Sequence, residues 1–156
     1  MNPNSRNPIQ IQQASESDIP SLVQLMTEFY KESDFPLDVQ WAADSFLSLI
    51  TSPSQGRVWI AMRRGHCIGY VVLTVRYAME HGALAGYIDD LYVEPDSRRA
   101  GVGRSLIDRL FEESREQGCK RMYVEVGEEN LPARSLYSRF GMSTFSDGRI
   151  QLSGEV

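Results

Sequence analysis

Residues 87–106 decide the fold: Tyr-Ile-Asp-Asp-Leu-Tyr-Val-Glu-Pro-Asp-Ser-Arg-Arg-Ala-Gly-Val-Gly-Arg-Ser-Leu. The pattern predicts a strand that ends before Pro95, a loop rich in arginine and glycine, and the start of an amphipathic helix. Gly101 and Gly103 carry no side chains, so backbone N–H groups there can approach an anion closely. The free amides and the positive dipole end of the helix attract negative charge to the same place. This order of elements predicts a site for a diphosphate-bearing cofactor.

Hydrophobic periodicity predicts further helices and strands on both sides of this stretch. Four helices are predicted, at about 18–33, 38–50, 102–117 and 130–140. The predicted strands lie near 9–11, 57–63, 67–77, 84–93 and 121–126, and a final hairpin pairs 142–145 with 149–152. Residues 1–8 are polar and broken by proline, which predicts a mobile tail before a single domain of residues 9–156. The order of elements predicts an α/β (α+β) fold, with helices on both faces of a mixed sheet.

The composition of the 156 residues is that of a soluble globular protein, with 42% hydrophobic and 24% charged residues. The net charge of −5 disfavours general nucleic-acid binding and suits a cationic substrate. The sequence lacks an apolar run of the roughly 20 residues that a membrane helix needs, and its N-terminus lacks the layout of a signal peptide. We therefore expect no membrane partner and a cytoplasmic location. Cys67 and Cys119, like His66 and His81, lack metal-ligand spacing, so no metal site is expected.

Two common phosphate sites fit the loop poorly. The P-loop string GxxxxGK[ST] does not occur in the sequence. Half of the dinucleotide fingerprint GxGxxG is present, because Gly101-x-Gly103 is followed by Leu106 in place of a third glycine. Glu125 lies near the roughly 20-residue spacing of a ribose-binding acid. However, the glycines stand too far beyond their strand, and too little chain follows Glu125 to complete such a sheet.

Two other signatures resemble a single family. Residues 98–103, Arg-Arg-Ala-Gly-Val-Gly, match the acyl-CoA loop pattern [Q/R]-x-x-G-x-[G/A]. Residues 130–142, Asn-Leu-Pro-Ala-Arg-Ser-Leu-Tyr-Ser-Arg-Phe-Gly-Met, resemble the segment N-x-x-A-x-x-L-Y-x-x-x-G-F/M. Both patterns are those of the GNAT superfamily of N-acetyltransferases, and the resemblance extends from about Ile9 to Leu152. It implies a mostly antiparallel sheet of about seven strands, splayed between the strands near 84–93 and 121–126.

In members of that superfamily, the loop amides hold the diphosphate of acetyl-CoA. The preceding strand bulges, here around residues 91–93, and offers main-chain groups to the pantetheine and the thioester carbonyl. The cofactor contacts that the resemblance implies are Leu91, Tyr92, Val93, Arg98, Arg99, Ala100, Gly101, Val102, Gly103, Arg104, Ser105 and Asn130. Homodimers are frequent in the superfamily, so the resemblance also suggests a homodimer.

Acetyl transfer to an amine requires that the amine lose a proton, that the thioester carbonyl be polarised, and that the departing sulfur be stabilised. Tyr137 holds the family position that donates a proton to the sulfur, with simple packing in its helix as the alternative. Asp89 and Asp90 are consecutive strand residues, so they are expected on opposite faces. Asp89 matches an acid that relatives carry and is our candidate base, with Glu125 as its rival. Asp90 is expected to bind a cationic substrate or to serve the fold.

The expected acceptor follows from the loop between the first two helices, which lines the acceptor pocket in the superfamily. Asp34, Phe35 and Asp38 lie in this loop, and acidic and aromatic residues there suit an ammonium group. A plain capped loop explains these residues as well. We expect direct acetylation of a primary amine on a small molecule such as a polyamine, an amino acid or an aminoglycoside. The alternatives are an amine of a peptide or protein, or a module that binds acyl-CoA without catalysis.

Overall fold

The computed structural model describes residues 8–144 and 148–156. All of the expected N-terminal tail except Pro8 lies outside the described residues, as do residues 145–147 of the expected final hairpin. The chain divides into two compact units, residues 1–125 and 126–156. No helix in the described ranges combines the length and the apolar character that crossing a membrane requires.

Five strands form the sheet of the first unit, in the order β1-β2-β3-β4-β5. They are β1 (Gln10–Gln13), β2 (Gly56–Arg63), β3 (His66–Ala78), β4 (Ala83–Val93) and β5 (Arg121–Val124). Neighbouring strands pair antiparallel except β4 and β5, which are parallel and therefore need a crossover connection. This mixed, mostly antiparallel sheet confirms the predicted fold class.

Three helices belong to the first unit, namely α1 (Ile19–Glu32), α2 (Val39–Thr51) and α3 (Val102–Glu116). Their ends follow from local capping groups. The Ser15 N–H donates to Asp18 Oδ2 at 2.8 Å, in the short 3₁₀ turn that leads into α1. Asp38 Oδ1 accepts the Trp41 N–H at 2.8 Å and caps α2. Gly118 follows the last turn of α3 with a φ of 80°, a conformation that glycine adopts without strain.

The helices pack on both faces of the sheet. On one side, which we call the α1–α2 face, α1 and α2 share a buried core with alternate strand residues, including Val58, Ile60 and Val72. Helix α3 lies on the opposite side, where its Arg109 guanidinium is 5.8 Å from the ring of Trp59, a residue that alternates with Val58 and Ile60. The buried stripe of α3 consists of Val102, Leu106, Ile107 and Leu110.

The second unit contains one described helix, α4 (Leu131–Ser138). Residues 142–144 and 148–156 form no strand, so the described part of the chain has five strands where about seven were expected. The alternation of apolar residues suggested a final hairpin, but Ile150 and Leu152 are each 82% exposed and mark no buried face. Strand β5 also ends at Val124, two residues earlier than predicted.

Candidate active site

A β-bulge in β4 sets the direction of its acidic side chains. The consecutive β3 residues Val72 and Leu73 pair with Asp90 and Ile88, so Asp89 is the extra residue in β4. We expected this irregularity closer to the end of the strand. Residues that lie opposite each other on neighbouring strands share a face of the sheet. Asp90 therefore lies on the same face as Val72, which is the α1–α2 face.

The pairing of β4 with β5 ends just before this bulge, where β5 itself ends at Val124. Strand β5 pairs with β4 only as far as Ile88. In the β3–β4 ladder, the Glu94 N–H donates to the Ile68 carbonyl at 3.0 Å, so Ile68 and Glu94 form a hydrogen-bonded pair. Such pairs alternate, along an antiparallel ladder, with pairs whose main-chain groups point away from the neighbouring strand. Leu91 and Val93 therefore direct their N–H groups away from β3, toward the edge beyond the end of β5. This open edge offers main-chain partners to an extended ligand that carries amides.

The loop after β4 leads into the start of α3, the place where the sequence predicts an anion site. Arg99 and Gly101 have φ angles of 59° and 83°, in the left-handed region that lets the chain turn sharply into the helix. No side chain caps the N-terminus of α3. The N–H groups of Val102, Gly103 and Arg104 belong to the first turn, where helix geometry provides no intrahelical acceptor. These amides and the positive end of the helix dipole suit a diphosphate group.

The remaining loop residues contribute charge or support the helix. Arg99 and Arg104 are exposed, and Arg104 Nε lies 3.8 Å from Asp108 Oδ2 one turn further along α3. Ser105 Oγ donates to the Gly101 carbonyl at 3.1 Å, so this hydroxyl already has a partner within the helix. Ala100 is half-buried. Arg99 and Arg104 can therefore add positive charge near the amides, whereas Ser105 stabilises the first turn.

The Arg98 side chain is engaged with the rest of the first unit. Its Nη2 donates to both carboxylate oxygens of Glu32, at 2.9 and 2.8 Å, and its Nε donates to the Val93 carbonyl at 2.7 Å. The Tyr92 hydroxyl donates to Glu32 Oε1 at 3.0 Å, and the Tyr92 ring lies 5.4 Å from the Arg98 guanidinium. We call Arg98, Glu32 and Tyr92 the Arg98 clamp. The clamp ties the loop to the end of α1, and it occupies the side chains of two predicted cofactor contacts, Arg98 and Tyr92.

Asp90 lies in a different environment from its neighbour Asp89. It is half-buried, and the Tyr70 hydroxyl donates to its Oδ2 at 3.0 Å. Burial raises the pKa of Asp90 to about 6, although the Tyr70 hydrogen bond opposes this shift and the Asp89 charge adds to it. Asp89, the bulge residue, is exposed. Burial brings the pKa of Asp90 closer to the operating pH, which suits a catalytic base, so Asp90 becomes our candidate for the base in place of the exposed Asp89.

Phenol side chains from β3 and α1 accompany Asp90. Tyr70 is fully buried, and burial together with the Asp90 charge raises its pKa. Burial and the charges of Asp90 and Asp89 raise the pKa of Tyr30 to about 12. Both phenols therefore stay protonated at neutral pH and act as hydrogen-bond donors. The Phe35 ring, which is 63% exposed, lies 6.0 Å from the Tyr30 ring and forms the outer edge of this aromatic group.

Three other acidic residues were candidates from the sequence. Asp34 is exposed in the loop after α1, next to Phe35, with a φ of 56°. Asp38 uses its carboxylate to cap α2. Glu125 is exposed and follows the end of β5. Asp34 is therefore the acid that adjoins the exposed aromatic ring.

In the second unit, the predicted acid Tyr137 lies on α4 and is 7% exposed. Its carbonyl accepts the N–H groups of Phe140 and Met142 at 3.0 and 3.2 Å, which closes the end of the helix. Asn130 Oδ1 accepts the Ala133 N–H at 3.2 Å and caps the start. These contacts explain why the second signature folds as a short helix. The acid role of Tyr137 and the cofactor role of Asn130 stay predictions.

Sequence reasoning missed Tyr70, Tyr30 and Glu32. The Tyr70–Asp90 bond spans 20 residues and the Glu32–Arg98 bonds span 66, so no local spacing reveals them. Strand alternation alone places Tyr70 beside Val72 and therefore on the α1–α2 face. The bulge that brings Asp90 to that face has no signal in the residue types around it.

Comparisons with known proteins agree on one family. A family model described as "Acetyltransferase (GNAT) family" matches residues 19–142. Over 86 residues the chain is 33% identical to the glucosamine 6-phosphate N-acetyltransferase of Trypanosoma brucei brucei, covering 54% of this chain and 56% of that protein. It is 26% identical over 132 residues to the aminoalkylphosphonate N-acetyltransferase of Salmonella typhimurium, covering 85% of this chain and 83% of that protein. A solved integron cassette protein from the mobile metagenome of Cole Harbour Salt Marsh superposes with a TM-score of 0.83 and 33% identity. The match covers 94% of this chain and 90% of that protein.

Proposed function

The chain belongs to the GNAT family of N-acetyltransferases, which use acetyl-CoA, and we propose that its acceptor is a primary amine on a small molecule. The observation that carries this proposal is the half-buried Asp90, whose raised pKa suits it to take a proton from an amine beside the open edge of β4. Two relatives are named for acetylation of glucosamine 6-phosphate and of aminoalkylphosphonates, which are small amines. These names support a small acceptor.

The first unit carries groups that suit acetyl-CoA. The amides of 102–104 fit its diphosphate, and the open edge at Leu91 and Val93 fits the amide-bearing pantetheine arm as a further strand would. Acetyl-CoA supplies a thioester, whose carbonyl accepts hydrogen bonds and whose sulfur can depart as a thiolate. The N–H groups of Leu91 and Val93 are the donors that we assign to that carbonyl.

Asp90 acts as the base in this proposal. With a pKa of about 6 it is ionised at neutral pH, yet it holds a proton more readily than an ordinary carboxylate does. The Tyr70 hydroxyl fixes the Asp90 carboxylate through its hydrogen bond to Oδ2. Asp89, exposed on the bulge, adds negative charge that attracts an ammonium group. Asp34 and Phe35 form the outer part of the acceptor site.

Transfer proceeds by direct attack. The nitrogen of the acceptor forms a bond to the acetyl carbon while the carbon–sulfur bond breaks. Asp90 takes the proton that the nitrogen loses, and Tyr137 donates its phenolic proton to the departing sulfur. Tyr137 enters the mechanism through its place in the second signature. Neither signature contains a cysteine, which favours direct attack over a covalent enzyme intermediate.

The test is the release of free CoA from acetyl-CoA with a panel of small primary amines, and with lysine peptides for comparison. We expect turnover of small amines with a kcat/KM at least tenfold above that of any peptide, a difference of about 1.4 kcal/mol in transition-state binding. Faster turnover of peptides would contradict the small-molecule proposal. No CoA release with any amine would contradict the proposal of an amine acceptor.

A further inference from the structure

A partly exposed aromatic shelf lies beside the candidate site. The rings of Tyr87 and Tyr123 stack with their centroids 5.4 Å apart and an angle of 23° between their planes. The Arg76 guanidinium lies 5.4 Å from the centre of the Tyr123 ring. We call these three residues the Arg76 shelf. Both tyrosines are half-buried and Arg76 is exposed, so molecules from solvent can reach the shelf.

The bulge in β4 brings this shelf and Asp90 to the same face of the sheet. Tyr87 pairs with Thr74 and Asp90 pairs with Val72, and these two β3 residues face the same way because they are two positions apart. In a regular strand, positions 87 and 90 would face opposite ways. Arg76 lies four positions from Val72 on β3, so it faces the same way. The strand positions of Arg76 and Asp90 are therefore separated by about 13 Å.

The positive charge of Arg76 has no acidic partner among the described residues, since no carboxylate there lies within ion-pair distance of its guanidinium. The Tyr123 ring beneath the Arg76 guanidinium is held in place by His81 and Glu80. The Tyr123 hydroxyl is hydrogen-bonded to His81 Nε2 at 3.0 Å and donates to Glu80 Oε1 at 3.4 Å. Glu80 also lies 3.6 Å from His81. The α1–α2 face thus has the Asp90 carboxylate at one end and the Arg76 guanidinium at the other, where the Glu80 carboxylate is engaged with the Tyr123 hydroxyl and His81.

We propose that the Arg76 shelf binds an oxyanion carried by the acceptor, so that the acceptor is a small amine that also bears a carboxylate, phosphate or phosphonate group. The inference rests on the proposed function and narrows it. Amino acids and amino phosphonates fit both ends of this face, whereas a polyamine, which has only positive groups, does not.

The chemistry of the shelf suits this ligand. A guanidinium presents several N–H donors in a plane and binds carboxylate or phosphate oxygens in pairs. Stacking on the Tyr123 ring orients that plane while leaving its N–H edges available. The two tyrosine rings offer a flat apolar surface to the carbon skeleton between the amine and the anion.

The experiment compares matched acceptors in the wild type and in Arg76→Gln. Each pair has one anionic member and one uncharged member, such as 3-aminopropylphosphonate with propylamine, or β-alanine with its amide. We expect the wild type to prefer the anionic members in kcat/KM. Arg76→Gln is expected to raise their KM by about tenfold, as loss of a charged hydrogen bond does. It leaves the KM values for uncharged amines and for acetyl-CoA unchanged. The two pairs distinguish a phosphonate from a carboxylate.

Arg115→Gln is the matched control, because Arg115 is also exposed and lies over an aromatic ring, that of Phe111 at 6.0 Å, but on α3. An equal loss of kcat/KM for charged and uncharged acceptors in Arg76→Gln, or an equal loss of kcat/KM in Arg115→Gln, would overturn the inference.

Calorimetry with the anionic amines and CoA gives the same comparison without turnover. If no amine is acetylated, the proposed function fails, and weaker anionic-amine binding by Arg76→Gln alone still supports the shelf. Equal binding by both proteins contradicts it.

Discussion

The cofactor region and the acceptor region of the first unit are built from different chemical groups. The cofactor region, comprising the open edge of β4 and the start of α3, presents main-chain N–H groups. The acceptor region presents side chains, chiefly Asp90 with Tyr70 and Tyr30. Every residue except proline carries the same main-chain N–H group, so these groups suit a cofactor that a whole family shares. Side chains can vary, so they suit an acceptor that differs from one relative to another.

The first prediction tests the acceptor region, where we expect the largest effect. Asp90→Asn removes the proposed base while keeping the size of the side chain, and should lower kcat/KM by about 10²–10⁴, the range for loss of general-base catalysis. In the wild type, kcat/KM should rise with pH through about 6 as Asp90 loses its proton. The variant should lack this rise.

Asp89→Asn is the control for this experiment, because it removes a neighbouring carboxylate that is exposed. We expect it to weaken acceptor binding slightly and to retain the pH dependence. If Asp89→Asn proves the more damaging change, the original sequence-based choice of base is right and the bulge argument is wrong.

The second prediction tests the cofactor region through its backbone. Gly101→Val places a β-branched residue at a φ of 83°, which costs about 1–3 kcal/mol and distorts the loop amides. We expect the Kd for CoA, measured by calorimetry, to rise by about 10- to 100-fold if this whole cost falls on binding. The kcat at saturating acetyl-CoA should change much less.

Gly118→Val provides a matched control at the other end of α3. Gly118 has a φ of 80°, and a Cβ at either glycine meets open space. Both variants therefore introduce a similar backbone strain, but only Gly101→Val distorts the loop amides, so only Gly101→Val should lose CoA affinity. If Gly101→Val and Gly118→Val bind CoA with equal affinity, the loop amides do not hold the diphosphate.

The third prediction concerns the Arg98 clamp and should show a smaller effect. If Arg98 positions the loop, Glu32→Gln and Arg98→Gln should each raise the KM for acetyl-CoA a few-fold, since an exposed pair contributes about 1 kcal/mol or less. The double variant should be no worse than either single variant. If Arg98 instead contacts the cofactor directly, Arg98→Gln will be clearly worse than Glu32→Gln, and the effects will add.

The fourth prediction, the smallest effect, concerns stability. Burial in the folded protein opposes the ionisation of Asp90. Below the ordinary pKa of 3.8 the carboxyl is protonated, and the free energy of unfolding is not reduced. Above about 6 the carboxyl is ionised, and the free energy of unfolding is reduced by the full cost of the buried charge. Asp90→Asn should therefore raise Tm at neutral pH by a few degrees, at about 2–4 °C for each kcal/mol in a protein of this size. The difference should shrink as the pH falls toward 4. A lower Tm for the variant at neutral pH would mean that the carboxylate stabilises the fold.

The comparison of the two regions also explains what could be predicted from the sequence. The anion loop was predictable because glycines at 101 and 103 followed by an amphipathic helix act through local backbone geometry. A splay of β4 from β5 is expected from the family resemblance, and β5 pairs with β4 only as far as Ile88. The bulge was misplaced because one extra residue in a strand depends on pairing with β3 and leaves no trace in local composition.

Long-range contacts account for the other differences. Arg98 was expected to meet the cofactor, since its sequence neighbours form the loop, but its partner Glu32 comes from the end of α1. The side chains at 150 and 152 alternate as a strand would, yet they are exposed and form none. Local pattern thus predicted the backbone turn into α3, whereas the partners of Asp90 and Arg98 come from residues distant in the sequence.

A crystal structure with CoA and an unreactive acceptor analogue would locate both the cofactor and the acceptor. We predict the diphosphate on the amides of 102–104, the pantetheine arm hydrogen-bonded to Leu91 and Val93, and the acceptor nitrogen beside Asp90. A pantetheine arm bound away from the open edge of β4, or an acceptor nitrogen distant from the Asp90 carboxylate, would contradict the account.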